Sequence, residues 1–172
     1  MERKLLAVLA ATGAIALGML FAVGAAADGR HHGHHGHHHG HHAKTLLFST
    51  IAPTVPNDDT IHGVAPGGLP WVIKRGEARL RANGKLEVEV KGLVIPTPPQ
   101  NGTNPVPMLA ASLFCGDDTT AAATTAAVPF DTRGNAKIRA RITLPEKCLA
   151  PAILLNPNGS TAAYIAATGF ER

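Results

Sequence analysis

The sequence predicts a small all-β domain, and three observations carry that reading. Downstream of residue 43, short runs of alternating or β-branched character are separated by Pro, Gly, Asn and Asp about every ten residues. Helical periodicity is hard to find over the same stretch. The only two cysteines, Cys115 and Cys148, stand far apart and lack the C-x-x-C spacing of a metal pair. Eight short strands and one disulfide fit a small antiparallel β-sandwich, immunoglobulin-like in general character.

Candidate strands cover 45–52, 71–81, 85–95, 108–115, 124–130, 136–144, 152–156 and 161–169. The clearest local pattern is a hairpin, ARLRANGKLEVEV, where Leu86, Val88 and Val90 alternate with Glu87, Glu89 and Lys91. One face is therefore buried, and Ala78 and Leu80 share it on the preceding strand while Arg79 and Arg81 face water. A two-residue Asn-Gly loop would pair Leu80 with Glu87, placing unlike residues on one side. A three-residue loop, Ala82-Asn83-Gly84 with Gly84 in the left-handed bulge position, pairs Leu80 with Leu86 and Arg79 with Glu87 instead.

The run 119–127 is rich in Thr and Ala, so helix or a low-complexity loop competes with strand there. Over 136–144 the alternation returns, with Ile138, Ala140, Ile142 and Leu144 inward and Lys137, Arg139, Arg141 and Thr143 outward. Three cations then line one exposed stripe. Such a stripe suits an anionic ligand such as a cell-wall polymer, or else a solvated edge protected by charge against aggregation. Cys115 ends one strand and Cys148 lies between Pro145 and Pro151, so a bond between them would tie separate parts of the sandwich.

Residues 1–27 read as a signal peptide. Met1 to Lys4 give a short basic start, 5–23 are apolar, and Ala25-Ala26-Ala27 supply the small residues that signal peptidase requires. The alternative is an uncleaved anchor, because about twenty apolar residues span a bilayer, and only then is membrane attachment expected. No Cys ends the run, which argues against a lipoprotein anchor. Removing 27 of the 172 residues leaves 145, with fourteen Lys plus Arg against eleven Asp plus Glu. That length suits one domain. A net charge of +3 without basic runs or interleaved aromatics argues against nucleic acid. The expected location is secreted or extracellular, where an oxidising compartment joins Cys115 to Cys148.

Residues 28–43, ahead of a β domain at 44–172, form a His/Gly-rich tail expected to be disordered. It holds nine of the ten histidines, His31, His32, His34, His35, His37, His38, His39, His41 and His42. Neutral imidazole is a good ligand for Cu(II), Ni(II) and Zn(II), and glycines between the histidines let several nitrogens converge on one ion. The competing reading is a flexible, pH-responsive brush. No cofactor is required.

Enzyme chemistry is hard to place, and the expectation is a non-enzyme. His62 is the one histidine outside the tract, no G-x-S-x-G elbow is present, and no glycine loop cradles a phosphate. Asp58, Asp59 and His62 form a candidate metal or acid–base cluster, yet Asp among Pro and Gly reads first as a surface turn. Asp117-Asp118 carries the same ambiguity. Trp71 and Tyr164 are scarce aromatics, suited to a sandwich core or to stacking on carbohydrate.

The series PWVI (70–73), GLVIP (92–96), NPVP (104–107), LAASLFC (109–115), AVPF (127–130), GNAKI (134–138), LPEKC (144–148) and YIAATG (164–169) resembles uncharacterised small secreted β-domain proteins of high-GC Gram-positive bacteria. The likeness covers about residue 70 to the C-terminus and leaves the His/Gly tract outside. It implies only an exported β domain, and no activity carries over from it. Two function classes follow: a secreted protein whose His tract takes divalent transition metals, and a cell-envelope or extracellular module whose β domain contacts a polymer or protein.

Overall fold

Period-two alternation dominates the chain, and the fold is the arrangement that buries one side of each alternating strand. The structure, a computed structural model, describes residues 43–170. The expected signal peptide and the His tract up to His42 lie outside the described residues. Among the described residues there is no helix.

Eleven strands form among the described residues: β1 (Thr45–Pro53), β2 (Ala65–Pro66), β3 (Arg75–Arg81), β4 (Lys85–Lys91), β5 (Met108–Phe114), β6 (Ala123–Thr124), β7 (Val128–Pro129), β8 (Ala136–Arg141), β9 (Ala152–Pro157), β10 (Ala163–Tyr164) and β11 (Ala166–Thr168). Nine of them build one curled antiparallel sheet in the order β6-β5-β9-β11-β1-β3-β4-β8, with β7 also on β5. β2 and β10 make a separate, parallel two-residue pair. β1 is the joint of the sheet. Its first part, Thr45 to Thr50, pairs with β3, and Ile51, Ala52 and Pro53 pair with β11.

The β3–β4 hairpin has the expected register, Leu80 opposite Leu86 and Arg79 opposite Glu87. Gly84 adopts φ +78° and its N–H donates to the Arg81 carbonyl at 2.9 Å, closing the three-residue loop. Gly84 is also pinned from the far side, because its carbonyl accepts the Ile142 N–H at 2.9 Å and a Cβ there would collide with the Ile142 carbonyl. The turn thus seats the end of the β8 segment as well as the hairpin.

One main core lies inside the curl. β3 and β4 supply Ala78, Leu80, Leu86, Val88 and Val90, β8 supplies Ile138, and β5 and β9 supply Leu109, Leu113, Ile153 and Leu155. Trp71 joins this cluster at 3 % exposure. A second, smaller cluster of Val64, Phe114, Leu154 and Tyr164 covers the other face of β5 and β9. The buried polar side chains of β5 and β9 are paired: Ser112 Oγ donates to Asn156 Oδ1 at 2.7 Å, and Asn156 Nδ2 to the Ala163 carbonyl at 2.8 Å.

Several strand limits differ from the sequence expectation, each for a local reason. The run expected at 85–95 ends at Lys91, because Gly92 turns to φ +65° and hands its N–H to Asn135 Oδ1. The one expected at 71–81 begins at Arg75, after a single bridge of Val72 to Val94. The run 124–130 is two dipeptides on β5, since Thr125 between them is buried and its Oγ1 takes the Ala111 N–H. The stretch 161–169 splits at Ile165, whose carbonyl accepts from Thr54 while β10 and β11 pair with different partners. β2, amid Pro and Gly, had no strand signature at all.

The Cys115–Cys148 disulfide is present, joining the residue after β5 to the segment beyond β8 across 33 residues. Closing a loop of that length stabilises the fold by about 3 to 4 kcal/mol in the chain-entropy account. Free-thiol titration of unreduced, denatured protein should find none, and replacing both cysteines by Ala should lower stability by about 3 kcal/mol in urea unfolding. For the hairpin, Gly84→Val is expected to lose about 2 kcal/mol or more, from the positive φ together with the collision at Ile142. Ala82→Ser should stay within about 0.5 kcal/mol; equal losses from the two changes would refute the turn.

Candidate functional site

The sequence directs attention first to the loop 57–62, which follows β1 and meets Tyr164 of β10. There Asp58 Oδ2 accepts the Val55 N–H at 2.7 Å while the Asp58 N–H donates to the Val55 carbonyl at 3.2 Å, a reciprocal pair that closes the turn. The Asp59 backbone carbonyl takes the Tyr164 hydroxyl at 2.8 Å. Desolvation first, then the charges of Asp58 and Asp59, raises the Tyr164 phenol above its ordinary pKa. His62 lies with its ring stacked on Phe114, centroids 5.0 Å apart, and its Nδ1 is 3.0 Å from the Asp118 carbonyl. These residues fasten the loop over the second hydrophobic cluster, and among the described residues no three His, Cys, Asp or Glu side chains converge on a metal position. Asp117 and Asp118 occupy the turn after Cys115, closed by the Asp118 N–H on the Cys115 carbonyl at 3.1 Å. Trp71 and Tyr164, both 3 % exposed, belong to the two cores rather than to a stacking platform.

The β8 stripe is where the structure adds most to the sequence. Lys137, Arg139 and Arg141 face outward, alternating with buried Ala136 and Ile138, as the sequence predicts. Their neighbours were not legible in sequence: β8 pairs with β4, placing Lys137 opposite Glu89, Arg139 opposite Glu87 and Arg141 opposite Lys85. Glu89 Oε2 accepts from Lys137 Nζ at 2.9 Å and Oε1 from Lys91 Nζ at 3.1 Å. Those two bonds hold the Glu89 carboxyl at about 2, well below its ordinary 4.5. Glu87 is also lowered, chiefly by its hydrogen bond from Lys85 at 3.0 Å.

β8 is aimed by the turn ahead of it. Asp131 Oδ1 accepts the N–H groups of Arg133 and Asn135, both at 2.9 Å, and Gly134 at φ +75° lets the chain pass against the backbone of Leu93. Hydrogen bonds from Asn135, then from Arg133, keep the Asp131 carboxyl below its ordinary pKa. Beside this turn an open cleft of about 820 Å³ runs between Val106, Pro129 and Asp131 on one side and Glu89, Lys91 and Lys137 on the other. The cleft and the stripe share Lys137.

The nine tract histidines lie outside the described residues, so their arrangement is left to chemistry. In comparisons with known proteins, the chain matches no family model, no curated protein and no solved structure.

The depressed Glu89 pKa sets the sign of a pH effect. A carboxyl whose folded pKa lies below its unfolded value adds stability above about 4.5, and that contribution disappears as the pH falls through about 2. Glu89→Gln should therefore flatten the acid side of the stability curve, losing less between about pH 5 and pH 2.5 than the parent in urea unfolding. A variant that tracks the parent through this window would show that the two lysine bonds do not persist in solution.

Proposed function

We propose that this is an exported, non-enzymatic binding protein whose His tract takes up divalent transition metal ions, presented by a disulfide-locked β domain. Nine histidines within residues 31–42 carry this reading. Imidazole nitrogen is a ligand suited to Cu(II), Ni(II) and Zn(II), and copper should bind tightest by the usual divalent order. The disulfide and the likeness to small secreted proteins support an extracellular setting. Within that reading the curled sheet is a small sandwich, immunoglobulin-like in general character, with β1 crossing from one layer to the other.

The second reading, an envelope or extracellular module, is favoured by a separate observation, the cation stripe of β8. The two readings assign different parts of one chain and do not compete for the same residues.

Protons and metals contend for the same nitrogens near the unperturbed His pKa of about 6.5, so affinity should fall steeply in acid. Calorimetric titration with Cu(II), Ni(II) and Zn(II) at about pH 7.5 and about pH 5.5 tests this, on the exported chain and on a version lacking residues 31–42. Expected are several bound ions at the higher pH, much weaker binding at the lower, and none without the tract. Binding that outlasts the deletion, or ignores acid, would remove the histidines as ligands.

A further inference from the structure

The outward face of β3, β4 and β8 holds more charge than the β8 stripe alone. β3 adds Arg75, Arg79 and Arg81, and β4 adds Lys85 and Lys91, all on the side opposite the buried Ala78, Leu80, Val88 and Val90. With the three cations of β8 the face carries eight positive side chains against three carboxylates, Glu77, Glu87 and Glu89. The remaining described residues carry four Lys or Arg and six Asp or Glu. A surplus of five on one face and a deficit of two elsewhere means that this sheet holds the whole positive balance of the domain.

Protection of a sheet edge explains charge on β8, the outermost strand, and does not explain β3 and β4 within the sheet. Cross-strand pairing accounts for half of the pattern: Arg79 and Arg139 stand opposite Glu87 and Lys137 opposite Glu89, whereas Arg75 stands opposite Lys91, Lys85 opposite Arg141 and Glu77 opposite Glu89, like charges whose placement across a ladder is destabilising. All three carboxylates are already engaged, Glu77 by Arg75 at 2.9 Å and the other two by lysines. Arg79, Arg139 and Arg141 have no carboxylate within ion-pair distance among the described residues. Guanidinium forks of this kind bind carboxylate, sulfate or phosphate groups in pairs of hydrogen bonds.

β1 completes the face with Phe48, 58 % exposed and opposite Arg79, whose guanidinium lies 4.8 Å from the ring centroid. A shallow depression of about 240 Å³ is bordered by Phe48, Arg79, Lys137 and Arg139 and also by Glu77, Glu87 and Glu89, the carboxylates already bonded to Arg75 and the lysines. Successive outward residues on one strand are about 7 Å apart and neighbouring strands about 5 Å, so the cations form a lattice that meets charges repeated along a chain.

We propose that this face binds an acidic polysaccharide, its anionic groups on Arg79, Arg139 and Arg141 and a sugar ring against Phe48. A single aromatic residue fits a sugar contact and falls short of the successive stacking platforms that single-stranded nucleic acid uses.

The test uses the full exported chain at about pH 8 with EDTA, where the tract histidines are neutral and free of metal, so its outcome is independent of the metal reading. Polygalacturonate is the probe, with neutral dextran and an oligo-dT strand as comparators, followed by calorimetry or affinity electrophoresis. Expected are binding of polygalacturonate that weakens steadily with salt, no binding of dextran, and weaker binding of oligo-dT. Arg139→Glu with Arg141→Glu should weaken the complex by at least about tenfold, whereas Lys147→Glu, away from the face, should change it by less than about twofold. Should the double reversal lower Tm, Arg139→Gln alone should still weaken binding by about two- to threefold. Phe48→Ala should weaken polygalacturonate and leave oligo-dT unchanged. Absence of polygalacturonate binding at low salt, an equal loss from Lys147→Glu, or a preference for oligo-dT would each overturn the proposal.

Discussion

Side-chain direction alternates with every residue of a strand, so the three-residue turn at Ala82-Asn83-Gly84 decides which face of the β3–β4 sheet is core. A slip of one residue would send Leu86, Val88 and Val90 to water and bring Glu87 and Glu89 inside. Burying an unpaired carboxylate costs several kcal/mol, and leaving three aliphatic side chains in water forgoes about 1.5 to 3 kcal/mol for each. Gly84 holds the register because its left-handed backbone closes a three-residue loop and leaves room for the Ile142 carbonyl. β8 then inherits the same phase through its pairing with β4. The charged face is thus a consequence of one turn, transmitted across two ladders.

The two halves of the curled sheet meet their surroundings differently. β5 and β9 are buried almost throughout, because Val64, Tyr164 and the His62 loop lie over the face that the main core leaves uncovered. β3, β4 and β8 alternate buried and exposed, and nothing among the described residues covers their outer side. Largely apolar runs, broken only by the buried pair Ser112 and Asn156, mark the first situation and strict alternation the second, so the contrast follows from composition. It leaves the bare half as the surface on which the proposed polysaccharide contact would lie, and it assigns the histidine and acidic residues of 57–62 to the cover of the other half.

Much of this was legible in the sequence. All-β class, the hairpin register, the phase of residues 136–144 and the cysteine pair follow from alternation, turn chemistry and compartment, each a local signal. What was not legible depends on pairing between distant segments. Nothing in the sequence says that Arg139 will face Glu87, or that Phe48 will lie under Arg79, because cross-strand neighbours are set by topology. The splitting of 124–130 and 161–169 escaped for a related reason: at Thr125 and Ile165 hydrogen bonds to other segments displace the ladder, and intrinsic strand preference carries no information about them. The cations of β3 and β4 were visible as alternating charge, and only their union with β8 turned three separate stripes into one surface.

Charge of one sign on a small domain works against its own folding, and the molecule contains the means to tolerate it. Glu87 and Glu89 sit on the middle strand of the face, each bonded to lysine, so the strongest repulsion is screened where the cations crowd most. Exposed pairs of this kind add well under about 1 kcal/mol each, too little to offset several like-charge contacts. The larger contribution comes from the far end, where the Cys115–Cys148 bond supplies about 3 to 4 kcal/mol against a total stability of about 5 to 15 kcal/mol for a domain of this size. That bond lies outside the charged strands and asks nothing of their side chains. A domain stabilised in this way is free to keep Arg79, Arg139 and Arg141 without carboxylate partners, which is the condition an anion-binding surface requires.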